Sequence, residues 1–238
     1  MKITIAIVMA AGLLIPAAPA QADTPTPAVA LVARWDFNSG AVAGKIPDTS
    51  GRGQALSVRV ADQGALRFEG GTVGFPAACK TGAATCARGL MEAPNDADLN
   101  PGVRLFRWSA RIRVTKAELT GPANIMQKGV AGTASQWKLQ LGGRNGRAQC
   151  AVAGTGSATV YLARSAAPVA DGQWHKLLCE RSGGTLTVFV DGVQSGQATI
   201  PAALNISNTS PLRLGAPNLN LRSDTYHGYL DDVYAELA

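Results

Sequence analysis

Residues 171–192 have the sequence DGQWHKLLCERSGGTLTVFVDG, which contains the clearest secondary-structure signals in the chain. An Asp-Gly pair, which is a turn signal, stands at each end of it. Between the two pairs, a Ser-Gly-Gly sequence separates two strand-like runs, residues 174–180 and residues 186–190. Because glycine adopts positive φ at no steric cost, Gly-Gly between two such runs is typical of a β-hairpin. The stretch therefore predicts two antiparallel strands joined by a short turn.

Similar short runs recur along the rest of the chain. Residues 106–114 (FRWSARIRV) alternate between apolar side chains on one face and Arg or Ser on the other, which is typical of a half-buried strand. Residues 55–60 and 65–68 are expected to form a short pair of strands. The other predicted strands are residues 31–37, 124–128, 136–141, 148–153, 159–163, 196–200, 211–215 and 228–234, and residues 90–101 are predicted to be an edge strand followed by a polar turn. Short strands at regular spacing predict an all-β protein, an antiparallel two-sheet β-sandwich of the jelly-roll type.

The amino terminus is set apart from this pattern. Lys2 precedes an apolar run, residues 3–15, that is too short to span a bilayer, and small residues follow it. Residues 1–22 are therefore predicted to be a secretory signal peptide, with a retained membrane anchor as the alternative. Residues 23–30 are predicted to be a flexible Pro/Ala/Thr-rich leader, and residues 31–238 a single domain. The mature protein is expected to be secreted and extracellular, without a membrane span.

The chain of 238 residues is moderately basic, with a net charge of +6 from 22 Lys and Arg against 16 Asp and Glu. The basic residues are scattered, and no basic run is interleaved with aromatic residues as nucleic-acid-binding proteins often show. No nucleic-acid partner is therefore expected. A mild basic excess can favour acidic glycans or anionic surfaces.

Four cysteines in a secreted chain indicate two disulfides, for which three pairings are possible. Cys79 and Cys86 are close together in a Gly/Ala-rich stretch, so a local bridge is natural. Cys150 and Cys179 each lie in a strand-like run, and adjacent strands would bring them together. We therefore predict the disulfides Cys79–Cys86 and Cys150–Cys179.

The stretch at residues 171–192 also resembles a known family. DGQWH, a Gly-Gly hairpin and then LTVFVDGV are similar to the signature hairpin of laminin G-like domains, which belong to the concanavalin A-like lectin and glucanase superfamily. The residues that match this pattern are Trp174, His175, Val190, Asp191 and Gly192. An Asp-x-Ser-Gly-x-Gly loop and the last two predicted strands also match, so the resemblance spans nearly all of the mature chain. It implies a concanavalin A-like sandwich and leaves the function open, because the superfamily contains sugar binders, adhesion modules and enzymes.

The sequence lacks the motifs of common catalytic sites. It contains no Gly-x-Ser-x-Gly, no His-Glu-x-x-His and no phosphate-binding glycine loop. Glycosidases of the superfamily carry two glutamates that bracket an aspartate on one strand. The nearest match here begins with Asp232, has Tyr234 in the middle and ends with Glu236. His175 is interpreted as a hydrogen-bonded structural residue, and we expect the protein not to be an enzyme.

The resemblance further implies a structural Ca²⁺ ion, because many relatives hold one where the Asp-x-Ser-Gly loop meets the last strand. The expected ligands are Asp48, the carbonyls of Ser50 and Gly51, and Asp231, with Asn38 as a further candidate. Calcium prefers several hard oxygen ligands of this kind. In the alternative interpretation, Asp48 makes an Asx-turn and Asp231 bonds to loop amides.

Sugar-binding faces combine exposed aromatic side chains with polar groups that bond to hydroxyls. The best candidate for a ligand-binding loop is residues 216–226 (APNLNLRSDTY). The candidate ligand-binding residues are Tyr161, Asn218, Asn220, Arg222, Tyr226 and His227. The predicted function is a non-catalytic binding module for an extracellular carbohydrate or cell-surface glycoconjugate. A protein-interaction or adhesion domain is the alternative, and a degenerate glycoside hydrolase-like enzyme is the third interpretation.

Overall fold

The structure is a computed structural model, and it describes residues 28–79, 82–220 and 223–238. The predicted signal peptide and Arg222 lie outside the described residues, as does most of the predicted leader. The strands are β1 (Ala30–Trp35), β2 (Lys45–Ile46), β3 (Leu56–Ala61), β4 (Arg67–Glu69), β5 (Thr72–Gly74), β6 (Arg88–Ala93), β7 (Phe106–Thr115), β8 (Ala123–Gly129), β9 (Gln136–Gly142), β10 (Arg147–Ala153), β11 (Tyr161–Pro168), β12 (Asp171–Ser182), β13 (Thr185–Val190), β14 (Val193–Thr199), β15 (Leu212–Leu214) and β16 (Tyr229–Leu237). Single turns of 3₁₀ helix are present at Ala97–Leu99, Lys116–Glu118 and Gly143–Asn145.

The strands form two antiparallel sheets of eight strands each, which pack face to face. Sheet A has the order β14-β13-β12-β7-β16-β5-β4, with β1 also paired to β16. Sheet B has the order β11-β10-β9-β8-β15-β6-β3-β2. Buried apolar side chains from both sheets form one core between them, so the predicted all-β, two-sheet sandwich is confirmed. Among the described residues, no helix is both long and apolar enough to cross a membrane.

The predicted hairpin is formed by β12 and β13, where Ser182 pairs with Thr185 across the Gly-Gly turn. On its other side, β12 pairs with β7, the strand whose strict alternation is visible in the sequence. The first Asp-Gly pair is not a separate turn. It lies at the start of β12, where a bulge shifts the register between Asp171 and Trp174.

Aromatic side chains fill the centre of the core. Phe106 lies with its ring centre 5.3 Å from that of Trp108 and 5.1 Å from that of Trp137, and all three are fully buried. Trp35 is also fully buried. Each such ring removes about 150–250 Å² from water, so these residues dominate the apolar contribution to stability. Trp174 differs, because it lies half-buried on the outer face of sheet A under two arginine side chains.

The expectation that residues 55–60 pair with residues 65–68 is wrong. In sheet B, β3 pairs with β2 and β6, whereas β4 pairs with β5 in sheet A. The connection turns at Asp62 and Gln63, which have positive φ values of 52° and 61°. It carries the chain from one sheet to the other, so two strands that are close in sequence lie on opposite sides of the core.

Both predicted disulfides are present, but one of them joins the strands in an unexpected way. Cys79–Cys86 closes a short loop, as expected. Cys150 lies in β10 of sheet B and Cys179 in β12 of sheet A. This disulfide therefore crosses the core between the sheets instead of linking adjacent strands, and both of its cysteines are fully buried.

Candidate functional site

The outer face of sheet B carries polar side chains that are buried although they point away from the core. In β9, the core-facing residues Trp137, Leu139 and Leu141 alternate with outward residues. Of these outward residues, Gln136 and Lys138 expose only 8% and 9% of their surface. Outward polar residues of a sandwich are normally solvated. The central part of the outer face of sheet B is therefore recessed.

The outward polar positions continue across the sheet from strand to strand. Arg164 of β11 pairs with Gln149 of β10, which in turn pairs with Gln140 of β9. Gln127 of β8 pairs with Arg213 of β15. We call these residues the polar row, and its members are Arg164, Gln149, Gln140, Lys138, Asn124, Gln127, Arg213, Glu92 and Arg59. The row crosses from β11 to β3, and at a strand spacing of about 4.8 Å its six intervals span about 29 Å.

Contacts between neighbouring side chains hold the polar row in place. Nε2 of Gln140 lies 2.8 Å from the side-chain amide of Gln149. When the Gln149 amide is turned so that its oxygen faces Arg164, this oxygen accepts hydrogen bonds from Arg164 Nε at 2.8 Å and Arg164 Nη2 at 3.1 Å. At the other end, Glu92 accepts from Arg213 Nε at 2.7 Å and lies 3.8 Å from Arg59. These contacts position the polar groups before any ligand arrives.

Three depressions follow the polar row. The largest has a volume of about 700 Å³ and lies at β9, β10 and β11, beside Gln140 and Gln149. The second, of about 200 Å³, lies beside Gln127, and the third, of about 180 Å³, lies at the Glu92 end. None of the described residues that line the three depressions is aromatic. The face therefore offers hydrogen-bonding groups and charges, without a ring on which a sugar could stack.

The loop predicted to bind the ligand, residues 216–226, lies beside this face. Asn218 and Asn220 line the third depression together with Arg213. Arg213 also donates to a backbone carbonyl of the loop at 2.8 Å. Two of the predicted ligand-binding residues are thus brought to the polar row, whereas Arg222 lies outside the described residues.

Tyr226 and His227, predicted as ligand contacts, are instead buried. Tyr226 has no exposed surface, and its hydroxyl lies 3.2 Å and 3.0 Å from the carbonyl oxygens of Arg113 and Tyr229. Burial raises the pKa of Tyr226 well above its ordinary value. His227 is 6% exposed and bonds through Nδ1 to the carbonyl of Pro76 at 2.8 Å, and burial lowers its pKa. Neither side chain can reach a ligand on the surface.

Tyr161 is half-buried at the start of β11, where it pairs with Val152 and packs against the core instead of facing outward. The sequence does contain a signal for the polar row, because residues 136–141 (QWKLQL) alternate between polar and apolar side chains. This pattern identifies the outward residues, but a solvated strand has the same pattern. The recess that makes them a candidate site appears only in the folded chain.

Asp48, the first of the predicted calcium ligands, organises its own loop. Its Oδ1 accepts from the amides of Arg34 at 2.9 Å and Ser50 at 2.8 Å. Its Oδ2 accepts from the Ser50 hydroxyl at 2.8 Å and the Gln54 amide at 2.9 Å. Partial burial alone would raise the pKa of Asp48, but these hydrogen bonds lower it below its ordinary value. The carboxylate forms the Asx-turn of the alternative interpretation.

The remaining predicted calcium ligands have contacts of their own. Asp231 forms an ion pair with Arg111 at 2.6 Å, and Asn38 lines a separate depression of about 230 Å³. The carbonyls of Ser50 and Gly51 belong to the turn described above. Within the described ranges, no group of three or more His, Cys, Asp or Glu side chains could hold a metal ion. Protein donors already occupy the Asp48 carboxylate, and calcium binding by this set stays a prediction.

His175 connects β12 to the turn after β13. Its Nδ1 lies 2.7 Å from Asp191 and its Nε2 lies 3.1 Å from Asp171. Partial burial alone would lower the pKa of His175, but the hydrogen bonds to the two carboxylates raise it above its ordinary value. These contacts give the histidine of the signature hairpin a structural environment.

Comparisons with known protein families and solved structures identify proteins that are similar to this chain. The sequence model of one family, described as the concanavalin A-like lectin/glucanases superfamily, matches residues 92–235. No curated protein sequence matches the chain significantly. One similar solved structure is domain 4 of AbnA, a GH43 extracellular arabinanase from Geobacillus stearothermophilus, in complex with arabinotriose. It aligns with a TM-score of 0.65 and 16% identity, over 88% of this chain and 93% of that one.

Other similar structures are binding domains of botulinum neurotoxins. The binding domain of neurotoxin DC in complex with SialylT aligns with a TM-score of 0.62 and 12% identity, over 87% of this chain and 47% of that one. The same domain in complex with rat synaptotagmin II gives a TM-score of 0.61 and 13% identity, over 87% and 48%. The chain thus spans about half the length of the neurotoxin domains. At these identities the likeness shows a shared fold.

Proposed function

The chain belongs to the concanavalin A-like lectin/glucanase superfamily, and we propose on this basis that it is a carbohydrate-binding module that holds a glycan chain along the polar row. The observation that carries the proposal is the recessed line of polar side chains on an outer sheet face, of which Lys138, Gln149 and Gln127 are less than 10% exposed. The row has the length of an extended chain of several sugar rings.

The chemistry of the polar row suits sugar hydroxyl groups. Each hydroxyl both donates and accepts, and the Gln and Asn amides of the row offer both functions. Because neighbours already hold these amides, little side-chain entropy is lost when a ligand binds. Without an aromatic ring in the three depressions, affinity depends on hydrogen bonds that each contribute only about 0.5–1.5 kcal/mol. We therefore expect a Kd in the micromolar to millimolar range.

We propose binding without hydrolysis. Glu92 is the only acid among the described residues that line the three depressions. It accepts a hydrogen bond from Arg213 at 2.7 Å. A glycosidase of the two-carboxylate kind needs a second carboxylate across the scissile bond. Asp232 and Glu236 lie on a strand of sheet A, where they pair with arginines, so they are not on this face.

Two further observations support an extracellular glycan partner. Some proteins of similar fold were solved with a glycan, namely the arabinanase domain with arabinotriose and the neurotoxin domain with SialylT. The two disulfides fit a protein that folds in an oxidising compartment, as secreted proteins do.

The test is a glycan array followed by measurement of Kd for the glycans that bind, with two Gln→Ala variants. Q140A removes an amide from the middle of the polar row, and Q194A removes an exposed amide from β14 in the other sheet. We expect Q140A to weaken binding about fivefold, as the loss of about 1 kcal/mol implies, and Q194A to bind like the wild type. Equal effects of the two variants would exclude the polar row. Capture of a protein partner that sugars cannot displace would favour the adhesion alternative.

A further inference from the structure

The largest depression differs from the other two in charge. Its lining includes Lys116, Arg147 and Arg164 and, among the described residues, no Asp or Glu. We call it the basic groove. Its volume of about 700 Å³ lies within the range of about 300–1,000 Å³ that small-molecule sites occupy.

Cations elsewhere on this face have carboxylate partners within the protein. Arg213 and Arg59 share Glu92, at distances of 2.7 Å and 3.8 Å. Lys138 lies 3.9 Å from Asp224. The Glu92 end of the polar row therefore carries two cations and one carboxylate, a smaller excess of positive charge than in the basic groove.

The three cations of the basic groove lack such partners. In the part of the chain that the structure describes, no carboxylate lies within ion-pairing distance of Lys116, Arg147 or Arg164. Arg147 reaches a backbone carbonyl at 3.5 Å. The acid nearest to Lys116 in sequence, Glu118, accepts hydrogen bonds from the backbone amide and the hydroxyl of Thr115. The positive charge of the groove is thus left for a ligand.

We propose that the basic groove binds an acidic sugar, one that carries a carboxylate or a sulfate group, within the glycan held along the polar row. This inference rests on the proposed function, because it names the class of glycan. A guanidinium presents parallel N–H donors that match two oxygens of such a group, and charge-assisted bonds are stronger than neutral ones. With the Gln149 amide oxygen turned toward Arg164, this oxygen accepts hydrogen bonds from Nε and Nη2 and holds the guanidinium at the wall of the groove.

Two pairs of polymers test the proposal, because within each pair the backbone is the same and the charge differs. The purified chain is run in affinity electrophoresis against polygalacturonate and its methyl ester, and against dextran sulfate and dextran. We expect at least one acidic polymer to bind about tenfold or more tightly than its neutral counterpart, since one charge-assisted contact suffices for that factor. The pair that shows the preference identifies the acidic group as carboxylate or sulfate.

Three double variants separate the groove from general charge attraction. R147Q/R164Q removes two charges from the groove and keeps polar side chains there. R147K/R164K keeps the charge. R67Q/K45Q removes two exposed charges on strands outside the groove. We expect R147Q/R164Q to lose the preference for the acidic polymer, R147K/R164K to keep most of it, and R67Q/K45Q to bind like the wild type.

Equal binding of acidic and neutral polymers would overturn this inference and leave the proposed function standing. An equal loss in R147Q/R164Q and R67Q/K45Q would also overturn it, because attraction would then come from the whole molecule. If neither acidic polymer binds, the inference fails, and the proposed function is judged separately by the glycan array and Q140A.

Discussion

The disulfide Cys150–Cys179 allows a quantitative test of how the two sheets are held together. It joins β10 to β12 across the core, and its cysteines are 29 residues apart, against 7 for Cys79–Cys86. In the loop-entropy account, closing a loop of about 30 residues stabilises the native state by about 3.6 kcal/mol, and a loop of about 8 residues by about 2.5 kcal/mol.

The variant C150A/C179A also removes two fully buried sulfur atoms from the core. Each loss resembles that of a buried methylene group, which contributes about 0.8 kcal/mol, and any remaining cavity adds to the cost. We therefore expect C150A/C179A to lower the free energy of unfolding by about 5 kcal/mol and C79A/C86A by about 2.5 kcal/mol. Because domains have stabilities of about 5–15 kcal/mol, the first variant is expected to be only marginally folded.

Urea unfolding at 25 °C measures both losses against the oxidised wild type. The fluorescence of Trp108 and Trp137, which are fully buried, follows the core. C79A/C86A is the matched control, since it removes a disulfide that lies within one loop. Equal losses in the two variants, or a larger loss in C79A/C86A, would refute the argument that the bridge between the sheets is the more stabilising of the two.

Three further predictions concern proton and metal dependence. Burial lowers the pKa of Lys128 from 10.5 to about 8, so the unfolded chain binds more protons than the folded chain between these pH values. Urea unfolding should therefore show the stability of the wild type rising by about 3 kcal/mol relative to K128M over that interval. Parallel stability profiles of the two proteins would contradict this. The pKa of His175 is raised in the folded chain, so the contribution of its protonated form to stability is complete below about pH 6.5 and is lost as pH rises through the folded pKa. The Tm difference between wild type and H175N should therefore be larger at pH 5 than at pH 8. A Tm difference independent of pH would count against this prediction. Because the Asp48 carboxylate already accepts four hydrogen bonds, we expect neither Ca²⁺ nor a chelator to shift Tm, and a calcium-dependent increase would instead support the predicted site.

The sequence predicts the strands well because their signals are local. The alternation in residues 106–114 and the Gly-Gly turn before Thr185 depend on neighbouring residues alone, and both appear in the structure. Sheet membership depends on residues far apart in the chain. The Cys150–Cys179 pairing is predicted correctly, but the sequence leads us to expect that its strands are adjacent. They lie in opposite sheets, which local signals do not reveal.

The candidate site is harder to predict from the sequence than the strands, because the burial of a side chain depends on the whole fold. Alternation shows that Lys138 points away from the core, but not that it is 91% covered. Tyr226 is the opposite case, because it is predicted to contact a ligand at the surface and is fully buried. It follows a polar loop, yet its amide bonds to the carbonyl of Gly215 and its ring packs edge-on against Phe75, which places the side chain inside the sandwich.

Membership of the superfamily supplies the backbone on which a site is built, and the side chains of one face decide the ligand. At 12–16% identity, the similar structures share strand positions with this chain and few side chains. Along the polar row, strands of the same kind carry different charge. Arg213 and Arg59 share the carboxylate of Glu92 at one end, whereas no acid lines the depression beside Arg164 at the other. A glycan lying along the row would meet a weakly basic end and a strongly basic end, so the position of its acidic sugars would set the direction in which it binds.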